Sequence, residues 1–175
     1  MSYVIREAAV ADAEAIATVH VHSWLSTYKG IVADSFLETL SIRARTHRWQ
    51  DILKGNQGPV FVAEAEDGSI FGFANGGRKR TDGYPDYDYE LYAIYLLKEY
   101  QGFGAGRALV ETTLRDLHTR LGAPSAVVYA FTDNRPACEF YGKLGGATLG
   151  NSSFTIAEQS YEETAFGIPH LERFA

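Results

Sequence analysis

Gly102, Gly104 and Gly106 fall within five residues, after an apolar run and just before an amphipathic one. Glycine reaches positive φ without steric cost, so such a run lets the backbone curl with its N–H groups turned inward. A helix that starts immediately behind it adds its unpaired first N–H groups and the positive end of its dipole. The chemistry this offers is anion binding, best suited to a phosphate or pyrophosphate, and it needs no basic side chain. That matters in a chain with net charge -6. The spacing narrows the ligand further. A dinucleotide-binding turn reads G-x-G-x-x-G, and a P-loop ends in Gly-Lys-Ser/Thr. The order here is Gln101-Gly102-Phe103-Gly104-Ala105-Gly106, or Q-x-x-G-x-G, which is neither.

A second group of residues follows about 33 positions on: Asn134-Arg-Pro-Ala137-Cys-Glu-Phe140-Tyr141-Gly-Lys-Leu144-Gly145. Asn134 suits a helix cap and Pro136 a first helical turn. Phe140 and Tyr141 could simply be core. Taken in order, the strand around Ile94-Tyr95-Leu96, the Q-x-x-G-x-G loop and this N-x-x-A-x-x-F-Y-x-x-x-G run resemble the GNAT superfamily of N-acetyltransferases. The resemblance covers roughly Gly58 to Leu149 and is looser over the N-terminal helices. It departs from the family at Lys98, where many members carry proline, and at Gly146, where a large apolar residue is usual.

The resemblance implies an α/β fold of the acyl-CoA N-acyltransferase type. Its mixed, mostly antiparallel sheet is splayed between two parallel strands and flanked by helices, in a single domain over residues 1–175. It implies acetyl-coenzyme A as cosubstrate; no metal is expected. The cofactor would lie along Leu96, Leu97, Gln101, Gly102, Phe103, Gly104, Ala105, Gly106 and Arg107, with Asn134, Ala137 and Tyr141 along its pantetheine arm. The acetyl group would pass directly to a primary amine of a small molecule or peptide, without a covalent enzyme intermediate. A non-catalytic acyl-CoA binding or sensing domain on the same fold is the alternative. It would keep the loop but lack an acid and a base.

Amine acetylation needs a neutral amine, a polarised thioester carbonyl and a proton for sulfur. Backbone N–H groups on a splayed strand can polarise the carbonyl, and the matching position is Leu96. Tyr141 can donate to sulfur, since a phenol's reference pKa is about 10. Glu90 is the candidate base, with Asp86 and Asp88 as alternatives. Spaced six residues apart, Glu90 and Leu96 are expected on one face of an extended strand. The acceptor pocket in the family lies near Trp24, Tyr28 and Tyr92, although Trp24 and Tyr28 also suit core packing. Tyr84, Tyr87 and Tyr89 crowd the same strand entrance.

These residues need elements to hold them. Tyr3–Arg6 reads as a first strand. A helix from about Asp12 puts Ile16, Val19, His20, Ser23 and Trp24 on one face. A short helix around Phe36–Leu40 and another over 42–53 follow, the latter with Trp49, Ile52 and Leu53 inward. Strands over 60–64 and 70–74 pair through an Asp67-Gly68 turn. Residues 79–87 form a loop and 88–97 the central strand. Val110, Leu114, Leu117 and Leu121 stripe the helix behind the glycine loop. A buried strand over 126–131, the helix after Asn134, and strands over 147–149 and 162–168 complete the sheet.

Composition bounds the function. The chain has 175 residues, 46% hydrophobic and 22% charged, which suits one globular domain. No basic block of five or more occurs, so nucleic acid is not an expected partner. Arg78-Lys79-Arg80 is the densest basic cluster and reads as a solvated loop in preference to an anion site. No signal peptide or membrane span is visible, and the single cysteine, Cys138, fits a reducing cytoplasm. Nothing near Cys138 marks it as a nucleophile. His20 and His22 point about 200° apart on a helix and cannot share an ion. An acidic chain favours a cationic small amine as acceptor, and homodimers are common in the family.

Overall fold

The computed structural model describes residues 2–175. Seven strands form one sheet in the order β1-β2-β3-β4-β5-β7-β6: β1 (Tyr3–Glu7), β2 (Val60–Ala65), β3 (Ile70–Arg78), β4 (Tyr89–Leu96), β5 (Ala126–Phe131), β6 (Ala147–Ile156) and β7 (Gln159–Ile168). The helices are α1 (Ala13–Thr27), α2 (Asp34–Leu37), α3 (Ile42–Gly55), α4 (Ala105–Leu121) and α5 (Arg135–Lys143). Every neighbouring strand pair is antiparallel except β4 and β5, which are parallel. The expected mixed sheet, mostly antiparallel around one parallel pair, is therefore present.

The parallel pair is also the break in the sheet. β4 and β5 pair only at Glu90↔Val127 and Leu91↔Val128, whereas β4 stays paired with β3 as far as Leu96. Beyond Leu91 the two strands diverge, and the ladder groups of β4 that face β5 have no strand to fill them. Such groups are strong donors and acceptors that need partners. Helices cover both faces. Leu109, Val110, Leu114 and Leu117 of α4 are fully buried against one face. Ile16 and Val19 of α1 pack with Trp49, Val62 and Phe73 on the other.

One expectation fails inside β4. Gly76 pairs with Leu91 but Asn75 pairs with Ala93, so Tyr92 is an extra residue, a β-bulge. A bulge breaks the two-residue alternation of side chains. Glu90, Tyr92, Ala93 and Tyr95 therefore lie on the α1 face, while Leu91, Ile94 and Leu96 lie on the α4 face. Glu90 and Leu96 do not share a face; Glu90 shares one with Tyr95.

Three smaller corrections apply. The last two strands are ten residues each, not short pieces, and they turn at Ala157-Glu158 with φ 45° and 68°. Ile52 does not point inward but is 36% exposed. Nor is the basic loop merely solvated: Arg80 pairs with Glu90 at 2.7 Å, and Arg78 lies over the Tyr89 ring. The two departures from the family pattern have local reasons. Lys98 opens a 3-10 turn (Lys98–Tyr100), the kind of position where proline is also accepted. At Gly146, a Cβ would meet the Tyr141 carbonyl oxygen at 2.8 Å, so a large residue has no room.

Candidate active site

The glycine loop has the curled backbone that its spacing suggests. Gly102 and Gly104 have φ 84° and 85°, and Gly104 is the N-cap of α4. The first intrahelical bond runs from the Ala108 N–H to the Gly104 carbonyl at 3.0 Å. The N–H groups of Ala105, Gly106 and Arg107 are thus the helix's unsatisfied donors. The Gln101 amide donates to the Leu96 carbonyl at 3.2 Å and ties the loop to the end of β4. Arg107 directs its guanidinium to Glu111 at 2.7 Å, and Phe103 is 55% exposed.

From this loop a cavity of about 500 Å³ runs between the diverging strands. Leu96, Gln101 and Gly106 line one end, and Asn134, Ala137 and Tyr141 line the wall made by α5. Leu97 lies outside it. Its N–H donates to the Phe71 carbonyl at 2.9 Å and its carbonyl accepts from the Tyr100 N–H at 3.0 Å, so its backbone is fully engaged. Asn134 caps α5 by accepting the Ala137 N–H at 3.4 Å.

Tyr141 is buried, 5% exposed, and its ring packs on Phe140 and Phe166. Burial raises its phenol above the usual range, with Tyr95 adding to the effect. It therefore stays protonated and able to donate at neutral pH. Tyr28 and Tyr95 bring their hydroxyls within 3.1 Å of each other at the same cleft. Burial raises both phenols as well.

A second cavity, about 750 Å³, lies on the α1 face. It shares Tyr28, Tyr92, Tyr95 and Tyr129 with the first. Of the expected acceptor residues, Trp24, Tyr28 and Tyr92 all line it, with Tyr28 also buried in a core cluster with Phe131. Glu90 is 3% exposed on its floor. One oxygen accepts from the Arg80 guanidinium at 2.7 Å and the other from the Arg80 N–H at 3.1 Å. Asp86 and Asp88 do not line either cavity. Tyr89 points away, donating to the Leu121 carbonyl at 2.7 Å on the α4 side.

Other residues of the cleft carried no signal in the sequence. Asn75, Arg45, Tyr95, Tyr129 and Phe154 line the acceptor cavity from β3, α3, β4, β5 and β6. Tyr95 alone had a hint, since it stands in the strand that carries the family resemblance. Cys138 is half-buried, and burial pushes its thiol up, which does not favour a nucleophilic thiolate. Among the described residues there is no cluster of three or more His, Cys, Asp or Glu placed to hold a metal. No helix among them is long and apolar enough to cross a membrane.

His20 is a half-buried base facing the acceptor cavity. Burial, followed by the charges of Arg45 and Arg48, pushes it down to about 3. The unfolded chain binds its proton near the ordinary value of about 6.5. Between those values the unfolded state holds one more proton, so stability is full above about pH 6.5 and falls as pH drops, by up to about 1.4 kcal/mol per unit. The melting temperature should therefore fall from pH 6.5 towards 4, and His20→Gln should flatten that slope. Equal slopes in the two proteins would contradict this reading of His20.

Comparison with known proteins gives the family. Residues 18–146 match the model of the Acetyltransferase (GNAT) family. The chain is 39% identical over 168 residues to YuaI of Bacillus subtilis (strain 168), described as an uncharacterized N-acetyltransferase, covering 95% of this chain and 93% of the relative. Its fold is similar to that of yncA from Salmonella typhimurium, solved with its cofactor acetyl-CoA, at TM-score 0.73 and 24% identity over 97% of this chain and 94% of that one. It is also similar to the PaiA N-acetyltransferase of Thermoplasma acidophilum in complex with coenzyme A, at TM-score 0.67 and 21% identity over 94% and 98%. The family match takes in most of α1, the splayed strands, the glycine loop and α5, which are the walls of the cleft, and the chain belongs to the GNAT family of N-acetyltransferases.

Proposed function

We propose that this protein, as a single domain, transfers an acetyl group from acetyl-coenzyme A directly to a primary amine held in the α1-side cavity. One observation carries the reading. The groove leading from the glycine loop and the aromatic acceptor cavity share Tyr28, Tyr92, Tyr95 and Tyr129 as common walls where β4 leaves β5. A thioester bound in one is thereby next to an amine bound in the other.

Acetyl-coenzyme A supplies an activated acyl group with a good leaving thiolate. The N–H groups of Ala105, Gly106 and Arg107 receive pyrophosphate at the α4 terminus. Asn134 and Ala137 flank the pantetheine arm. The open edge of β4 near Leu96 offers backbone donors for the carbonyl oxygen. Tyr141, kept protonated by burial, donates to sulfur as charge develops there. Glu90 takes the proton of the incoming ammonium, through solvent in the cavity, with the lone pairs that Arg80 leaves free.

Two measurements test this. Thiol release from acetyl-coenzyme A with a panel of amines should be amine-dependent; cofactor binding without turnover would favour a sensing domain. Glu90→Gln should lower kcat/KM for the amine by roughly ten- to a hundred-fold, with KM for acetyl-coenzyme A within about twofold. A change of less than about twofold in both would remove Glu90 from the mechanism.

A further inference from the structure

The charge inside the acceptor cavity runs opposite to that of the whole chain. Its charged lining groups are Arg45, Arg48, Arg80, Glu90 and Glu163. Arg80 and Glu90 pair with each other, and Glu163 accepts from the Ser152 hydroxyl at 2.9 Å. Arg45 and Arg48 have no carboxylate partner among the described residues. Arg48 is exposed and solvated, but Arg45 is half-buried, and a half-buried guanidinium without an acid is unfavourable unless something else neutralises it.

The neighbours of Arg45 make the imbalance sharper. Its guanidinium lies 3.2 Å from Nε2 and 3.5 Å from Nδ1 of His20, and 5.7 Å from the centre of the Trp24 ring. The Trp49 indole already donates to His20 Nδ1 at 3.2 Å. A neutral imidazole has one lone pair and one N–H of its own. Two donors therefore compete for a single acceptor, and the imidazole's N–H is a third donor in the same place. The Trp24 indole nitrogen is buried beside the Tyr95 hydroxyl and makes no other hydrogen bond. Arg45 therefore faces the cavity with donors that His20 cannot fully receive and no carboxylate to take them. At the other side of the same cavity the pattern reverses: Glu90 and the unpartnered, buried Oδ1 of Asn75 are acceptors. Tyr95 feels the fields of both Arg45 and Arg80, so it lies between the two sides.

We infer that the acceptor is an amine that also carries an oxyanion, a carboxylate or a phosphonate, with its amine towards Glu90 and Asn75 and its oxyanion held by Arg45 and Arg48. The inference rests on the acetyltransferase reading for the amine and on its own geometry for the oxyanion. Guanidinium groups give charge-assisted hydrogen bonds of the kind that select carboxylates and phosphonates. The volume of about 750 Å³ and the aromatic walls allow an apolar body between the two ends.

The test pairs turnover with binding. The twenty proteinogenic L-amino acids and 2-aminoethylphosphonate are compared with the matching amino acid amides, spermidine and benzylamine. Each is assayed for thiol release and, with the protein saturated in coenzyme A, for binding by calorimetry. The best oxyanion-bearing amine should exceed its amide at least about tenfold in kcat/KM and in affinity. Arg45→Gln should collapse that ratio to within about twofold, and Arg48→Gln should lower it. Arg45→Lys, which keeps the charge, should retain part of it and guards against a misfolded glutamine variant. Whether amino acids or the phosphonate lead decides the kind of oxyanion. A best acceptor that is an amide, spermidine or benzylamine would overturn the inference while leaving the acetyltransferase intact. An acid-to-amide ratio that survives in folded Arg45→Gln and Arg48→Gln proteins would also overturn it. Absence of turnover with every amine would count against the acetyltransferase, and Arg45-dependent binding in calorimetry would still decide for or against the oxyanion site.

Discussion

Tyr141→Phe should lower kcat by roughly ten- to a thousand-fold with acetyl-coenzyme A binding nearly unchanged. The ring is held on α5 between Phe140 and Phe166 and stays in place in the variant, so the core keeps its packing. Only the hydroxyl is lost, and with it the donor next to the departing sulfur. Burial holds that phenol protonated, so the donor is present across neutral and mildly alkaline pH, and activity should show no loss from its ionisation there. If Tyr141 is a core residue and nothing more, turnover would stay within about twofold and the change would appear in melting temperature alone. Turnover and melting measured on one preparation separate the two outcomes.

Gly104→Val should weaken acetyl-coenzyme A binding by more than about tenfold, or about 1.4 kcal/mol. The reason is backbone conformation. A Cβ at Gly104 would meet only the Tyr3 hydroxyl, at 3.8 Å, so there is space for it in the protein itself. Its φ of 85° is another matter. A left-handed conformation costs an L-residue roughly 1–2 kcal/mol, and a β-branched one more. The chain relieves that strain by turning the N–H groups of Ala105 and Gly106 away from their common focus. A β-branched side chain also projects to where phosphates would approach. Calorimetry on a folded Gly104→Val protein with unaltered affinity would contradict the assignment of the cradle.

Much of the fold and the shape of the groove beside the glycine loop could be read from sequence because their signals are local. The loop needs glycines at positive φ, α4 needs its four-and-three apolar steps from Val110 to Leu121, and α5 needs Asn134 as its cap. Each of these is written within a single turn or helix. What could not be read depends on partners far away in the chain. The Tyr92 bulge is set by pairing with Asn75 and Gly76, and it moves Glu90 to the face opposite Leu96. Nothing in the alternation of β4 itself announces an extra residue. The hairpin of β6 and β7 turns on Ala157 and Glu158, without the Asn-Gly or Asp-Gly that marks such turns. The Arg45–His20 contact joins α1 to α3 across 25 residues, and Arg80 reaches Glu90 only because the basic loop folds back onto β4. The net charge of the whole chain could not reveal a local excess of donors in one cavity.

In the proposed reaction the acetyl group passes from thioester to amine within the cleft between β4 and β5, with no stop on the protein. A single turnover with isotope-labelled acetyl-coenzyme A, quenched and resolved by mass spectrometry, tests it most directly. Coenzyme A should appear in step with acetylated amine, the protein should keep its unmodified mass at every time point, and omission of the amine should halt coenzyme A release. An acetylated protein formed without amine, or coenzyme A release with no label on the amine, would contradict it.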